Sequence, residues 1–158
     1  MNIFEGEIKG EGLKIAIVVS RFNSAVTDKL LEGALSFLKR CGVKDDDVDC
    51  FRVPGSYEIP LISKILSKNK KYDCIIALGA VIRGDTPHFE YVASAVSEGI
   101  IKTTLETETP IIFGIVTADD LESALERAGG KQGNKGKESA ETAVEIANLY
   151  RKIKGRDA

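Results

Sequence analysis

Four short apolar runs punctuate the chain: Lys14–Ser20, Val48–Val53, Asp73–Ile82 and Pro110–Ala118. They are rich in β-branched residues and lack the polar alternation of a strand with one face in water. That pattern predicts parallel strands buried on both faces. The stretches between them carry a helical period instead. Val26, Leu30, Ala34, Leu35 and Leu38 line one face of a helix, and Gly42 marks its stop. Phe89, Val92, Val96 and Ile100 repeat the spacing in the third connection. A last helix is predicted over Glu138–Ile153, with Ala140, Val144 and Ala147 turned inward. The glycine-rich stretch Gly129–Gly136 reads as a loop between helices. Met1–Gly12 stands outside the alternation. Ile3, Phe4 and Ile8 need burial there, so the segment is either a loose tail or an arm that adds a strand to a neighbouring subunit.

Strand and helix alternate, which specifies an α/β fold with a parallel sheet and right-handed crossovers. The favoured arrangement is a flavodoxin-like three-layer sandwich around a four-stranded parallel sheet. With 158 residues, the chain fits one domain, 1–158, with 1–12 as its arm. It is long enough to bury a core without disulfide or metal staples. A net charge of -2 gives no electrostatic reason for nucleic acid or an anionic membrane as partner. No apolar run approaches the roughly 20 residues of a membrane span, and Met1–Gly12 is too polar for a secretory leader. A cytoplasmic location is therefore expected. Cys41, Cys50 and Cys74 form no CxxC pair, which argues against a disulfide framework or zinc site. Cys50 and Cys74 lie in apolar runs and read as small core residues.

Open parallel sheets bind ligands beyond the carboxyl ends of their strands. Arg21-Phe22-Asn23 follows the first strand, Pro54–Pro60 the second, and Arg83–His88 the third. The single histidine and three of the four prolines fall in these loops. Thr86 is predicted to cap a helix with Pro87 at its first position, which puts His88 in the first turn. The positive end of the helix dipole disfavours imidazolium there, so the ring is expected to be neutral and able to take and return protons. The amides of Gly84 to His88 point the same way and suit a phosphate. In this loop context, a proton carrier is preferred to an ordinary surface histidine. Phe22 suits either stacking on a planar ring or stapling the following helix, and spacing does not decide. Glu58 by spacing alone complements a helix dipole, as Arg127 and Lys135 do beside the glycine-rich loop. Gly133–Glu138 resembles a nucleotide-binding loop only superficially. Lys131 stands where that pattern needs glycine, and Glu138 where it needs serine or threonine.

Five co-linear segments resemble the lumazine synthase family. They are Arg21-Phe22-Asn23, Val53–Pro60 (VPGSYEIP), Ala77–Tyr91 (ALGAVIRGDTPHFEY), Phe113–Thr117, and Arg127-Ala128-Gly129 with Gly133–Gly136. The resemblance covers nearly the whole chain. It implies an enzyme of riboflavin biosynthesis without cofactor or metal, condensing 5-amino-6-ribitylaminopyrimidinedione with 3,4-dihydroxy-2-butanone 4-phosphate to 6,7-dimethyl-8-ribityllumazine. It implies that Phe22 stacks on the pyrimidine and that the backbone of Ala80, Val81 and Ile82 reads the ring edge. Ser56, Tyr57 and Glu58 would hold the ribityl chain. Asp85, Thr86 and Arg127 would surround the phosphate, Asp85 through its backbone amide because a carboxylate repels the anion. His88 would relay protons. Phe113, Arg127 and Lys135 are implied to come from an adjacent subunit of a homopentamer, which in some members closes into a 60-subunit shell. Riboflavin synthase is the implied protein partner. The alternatives are an archaeal-type riboflavin synthase that dismutates two lumazines, and a non-enzymatic lumazine or flavin carrier. A phosphate-signalling domain is set aside, because it needs acidic residues where Ser20-Arg21-Phe22 stand.

Overall fold

The apolar runs become strands β1 (Ile15–Ser20), β2 (Val48–Val53), β3 (Cys74–Ile82) and β4 (Ile111–Ala118) in a computed structural model that describes residues 1–157. All four are parallel, in the order β2-β1-β3-β4. This is the flavodoxin-like order, whose reversal lies between β1 and β3. Helices α1 (Ser24–Arg40), α2 (Ile59–Lys68), α3 (His88–Thr107), α4 (Leu121–Glu126) and α5 (Lys135–Asp157) flank the sheet. Among the described residues, no helix is long and apolar enough to cross a membrane.

Alternate residues of the central strands feed two separate cores. Ile15, Ile17 and Val19, with Ile76 and Leu78, pack against Leu30, Ala34 and Leu38 of α1 and Ala140, Val144 and Ala147 of α5. Ala16, Val18, Ile75 and Ala77 pack against Ile59 and Leu66 of α2 and Val96 and Ile100 of α3. The period of two is invisible in these strands because both faces are dry. At the edge it reappears. In β2 only Val53 is buried, and Cys50 is exposed, so the expectation that β2 is covered on both faces and that Cys50 is a core residue does not hold. Cys74, on a central strand, is buried as expected, and burial pushes its thiol far above the ordinary range. On α1 the stripe is completed by Leu31, while Leu35 is 41% exposed. With 3.6 residues per turn, Leu35 falls at the margin of the face that Leu30, Ala34 and Leu38 share.

The glycine-rich stretch is not the plain helix–helix loop its composition suggests. It folds as an antiparallel hairpin of β5 (Ala128–Gly130) and β6 (Gly133–Asn134). The Asn134 amide donates to the Lys29 carbonyl at 3.1 Å, and its oxygen accepts the Lys137 N–H at 3.0 Å. One side chain therefore starts α5 and ties it to α1. This capping moves the helix start to Lys135 from the expected Glu138. Gly136 lies so close to α1 that a Cβ there would sit 1.9 Å from the Leu30 carbonyl oxygen.

The arm is not a loose tail within its own chain. Asn148 of α5 donates to the carbonyls of Glu7 and Lys9 at 2.6 and 2.9 Å, and Lys152 donates to that of Glu5 at 2.7 Å. Its apolar side chains gain little from this, and Ile3 remains 75% exposed.

Candidate active site

The reversal of strand order opens a crevice beyond the carboxyl ends of β1 and β3. Three backbone features shape it. The chain leaving β1 stays paired with β2, as Arg21 N–H donates to Val53 O at 2.8 Å and Phe22 N–H to Pro54 O at 3.0 Å. Asn23 then adopts a left-handed conformation, φ 64, which asparagine tolerates better than most residues. Its amide donates to Ala80 O at 3.2 Å, joining the β1 loop to β3. Phe22, between these anchors, is 72% exposed. Most of the ring therefore faces solvent.

The pairing of β3 with β1 ends at Leu78, whereas its pairing with β4 continues to Ile82. Successive strand residues direct their amides to opposite sides. Because Arg83 N–H donates to Ala118 O on the β4 side and Ala80 O accepts Asn23 on the β1 side, Ala80 and Ile82 turn their backbone groups to the crevice. Val81 turns its own toward β4.

After β2, residues Ser56–Glu58 form one 3₁₀ turn before α2. Glu58 thus stands at the boundary of α2, one residue before its first turn. Its Oε1 accepts the Gly55 N–H at 2.8 Å, which commits one carboxylate oxygen to the turn. Tyr57 is exposed. Ser56 is buried, yet its hydroxyl has no hydrogen-bond partner among the described residues. Gly79 leaves room for it, since a Cβ there would lie 2.5 Å from Ser56 Oγ.

Asp85, Thr86 and His88 are all exposed on the loop after β3. Helix α3 begins at His88, with Pro87 as the cap residue and Thr86 outside. The expected cap is therefore displaced by one residue, because Pro87 takes φ -70 and ψ 3 at the boundary, outside the helix. Thr86 Oγ1 still accepts the His88 N–H, at 3.4 Å. His88 stands on the first turn, as expected.

Phe113, Arg127 and Lys135 gather elsewhere. They line a cleft of about 390 Å³ beside β4, with Thr117, Gln132 and Glu138, and none of the crevice residues above lines it. Arg127 Nη1 donates to Thr117 O at 3.2 Å, and Lys135 N–H donates to Arg127 O at 2.8 Å. The site residues thus form two groups on one chain, a crevice bearing His88 and a cationic cleft. Beyond the cleft, Asp120 caps α4 by accepting the Ser123 N–H at 2.7 Å, and that bond lowers its pKa. Among the described residues, no three His, Cys, Asp or Glu side chains gather as a metal site. Sequence reasoning missed Asn23 as the clamp on Ala80, and Gln132 and Glu138 in the cleft. An asparagine three residues past the end of β1 was the one local signal for a left-handed turn.

Comparison with known proteins bears on this arrangement. Residues 12–151 match the family model described as 6,7-dimethyl-8-ribityllumazine synthase. The chain is 59% identical over 153 residues to a protein of that name from Kosmotoga olearia, covering 97% of this chain and 98% of the relative. It is 52% identical over 153 residues to one from Clostridium kluyveri, covering 97% and 99%.

Proposed function

The chain belongs to the 6,7-dimethyl-8-ribityllumazine synthase family, and from that premise we propose how its residues divide the work of the condensation. The reaction joins the amino group of 5-amino-6-ribitylaminopyrimidinedione to the ketone of 3,4-dihydroxy-2-butanone 4-phosphate. Loss of phosphate and water and closure of the second ring give the lumazine. Dismutation of two lumazines and non-enzymatic carriage are not favoured, given the names of the relatives.

The observation that carries the assignment is the solvent-facing Phe22 beside Ala80 and Ile82, whose backbone groups turn to the β1 side beyond the end of the β1–β3 pairing. A planar heterocycle stacks on the ring and hydrogen-bonds to those groups. The ribityl hydroxyls then reach Ser56, Tyr57 and Glu58, and the unpartnered Ser56 hydroxyl gains a partner. Val81 supports the ring contact through its neighbours. Asp85 and Thr86 approach the phosphate through the loop amides. His88 takes the proton from the attacking amine and returns it as water and phosphate leave. Holding both reactants in register supplies much of the acceleration.

The cleft with Phe113, Arg127 and Lys135 belongs, in this reading, to the crevice of an adjacent subunit. Arg127 offers a bidentate fork and Lys135 a point charge to the phosphate. The separation of the two groups on one chain supports a site shared between subunits, and the family resemblance makes that assembly a pentamer at least. The exposed Ile3 and the open edges of the sheet support an arm that adds a strand to a neighbour. The short β5–β6 hairpin favours closure of pentamers into a shell, and riboflavin synthase is the partner such a shell would hold. The cytoplasm is the compartment in which this reading has the enzyme work.

The test is to mix purified protein with both substrates and follow lumazine fluorescence and released phosphate together. Equimolar appearance of the two is expected. Lumazine consumed rather than made, or binding without turnover, would reject the reading. Light scattering on the same sample addresses assembly, and a fully active monomer would defeat the shared site.

A further inference from the structure

We infer that Arg83 is the positioning residue that holds the His88 turn against the sheet, an inference that rests on the role given to His88 above. Arg83 is the first residue after β3, and its N–H donates to Ala118 O at 2.9 Å. Its side chain then spans two elements. Nε donates to Asp119 Oδ1 at 3.0 Å on the loop after β4, and Nη1 lies 3.6 Å from Glu90 Oε1 on α3. The guanidinium carbon sits 4.6 Å from the centre of the Phe89 ring. Phe89 and Glu90 directly follow His88 in the first turn.

Between Arg83 and Phe89 the chain has no side chain in a core, since Gly84, Asp85, Thr86, Pro87 and His88 are all exposed. The loop is therefore fixed at its two ends, and Arg83 fixes both. A guanidinium can stack on a ring and pair with carboxylates in its own plane at once, which an ammonium cannot. A direct role in binding phosphate is disfavoured by the same contacts. One cation shared between Asp119 and Glu90 leaves a cluster with no excess positive charge to offer an anion.

The experiment uses the full chain in its assembled state, with Arg83→Met, Arg83→Lys and Asp119→Asn, each alone and combined with His88→Ala. Displacing a catalytic group by about 1 Å can cost roughly 100-fold, so Arg83→Met is expected to lower kcat by roughly 10- to 100-fold. Arg83→Lys should recover part of that, and Asp119→Asn should reproduce a smaller loss. The KM for the pyrimidine should stay within about twofold, because Phe22 follows β1 and the β3 groups assigned to the ring are backbone groups that the substitution leaves in place. In the His88→Ala background, Arg83→Met should cost little more, because the group it positions is gone. A kcat unchanged in Arg83→Met, or a loss that persists in full beside His88→Ala, would overturn the inference. So would a rise confined to the KM for the butanone phosphate, which marks a direct contact. If Arg83→Met does not fold, Asp119→Asn carries the same comparison. Wild-type turnover is run in parallel: an inactive wild type rejects the proposed function, whereas an active one with insensitive Arg83 rejects only this inference.

Discussion

Replacing Phe22 with alanine separates folding from substrate binding more cleanly than any other change in the crevice. The ring is 72% exposed, so only about a quarter of it contributes to folding. Full burial of a phenylalanine is worth about 1.5–3 kcal/mol, which puts the loss in stability near 0.4–0.8 kcal/mol. For a chain of this size, that corresponds to a fall in Tm of roughly 1–3 °C. The loop survives because Phe22 is held through its backbone N–H on Pro54 O, a bond that alanine keeps. Stacking a base on an aromatic ring is worth about 1–3 kcal/mol by alanine substitution, or roughly 5- to 150-fold in affinity. The KM for the pyrimidine should rise within that range while the KM for the butanone phosphate moves little. Phe22→Tyr should keep most of the affinity and Phe22→Leu should lose it, because the planar face and not the apolar area is required. Both KM values follow from lumazine fluorescence with one substrate varied at a time, and Tm from calorimetry. A large fall in Tm with an unchanged KM for the pyrimidine would refute the reasoning and return Phe22 to a packing role.

Three further outcomes are expected. His88→Ala should lower kcat substantially while leaving Tm and assembly unchanged, and an unaltered kcat would remove it from the mechanism; the loss is moderated because positioning by the rest of the site survives. Arg127→Ala should raise the KM for the butanone phosphate far more than that for the pyrimidine, and Arg127→Lys should rescue it only in part, since a point charge cannot replace a fork; equal effects on both substrates would contradict a phosphate clamp. Gly136→Ala puts a Cβ 1.9 Å from Leu30 O, so α1 and α5 must part. Overpacking of that kind costs about 1–3 kcal/mol, which calorimetry should read as a Tm lower by roughly 2–12 °C, and an unchanged Tm would show that the two helices yield freely.

What the sequence disclosed and what it hid follow the range of the interactions involved. β1 and β3 were legible because burial on both faces demands an unbroken apolar run. β2 misled because an edge strand mixes apolar and polar residues for two different surroundings, so Cys50 carries an apolar neighbourhood in sequence and solvent in space. His88 was placed on the correct turn by local signals alone, a threonine and a proline before a helical period. The clamps around it were not legible. Asn23 reaches Ala80 across 57 residues, and Arg83 reaches Asp119 across 36. Nothing in a linear pattern marks such pairs, because each member taken singly is an ordinary polar residue after a strand. The same distinction applies to the two groups of site residues. Arg127 and Lys135 are brought together by the β5–β6 hairpin, whose glycine-rich sequence reads locally as a loop. Their distance from the crevice is a property of the folded sheet. On the proposed assignment, a site whose aromatic platform and proton carrier stand on one side of β4 and whose cations stand on the other is incomplete within a single chain. For that reason, the activity of an isolated subunit is the quantity on which the shared-site reading depends most directly.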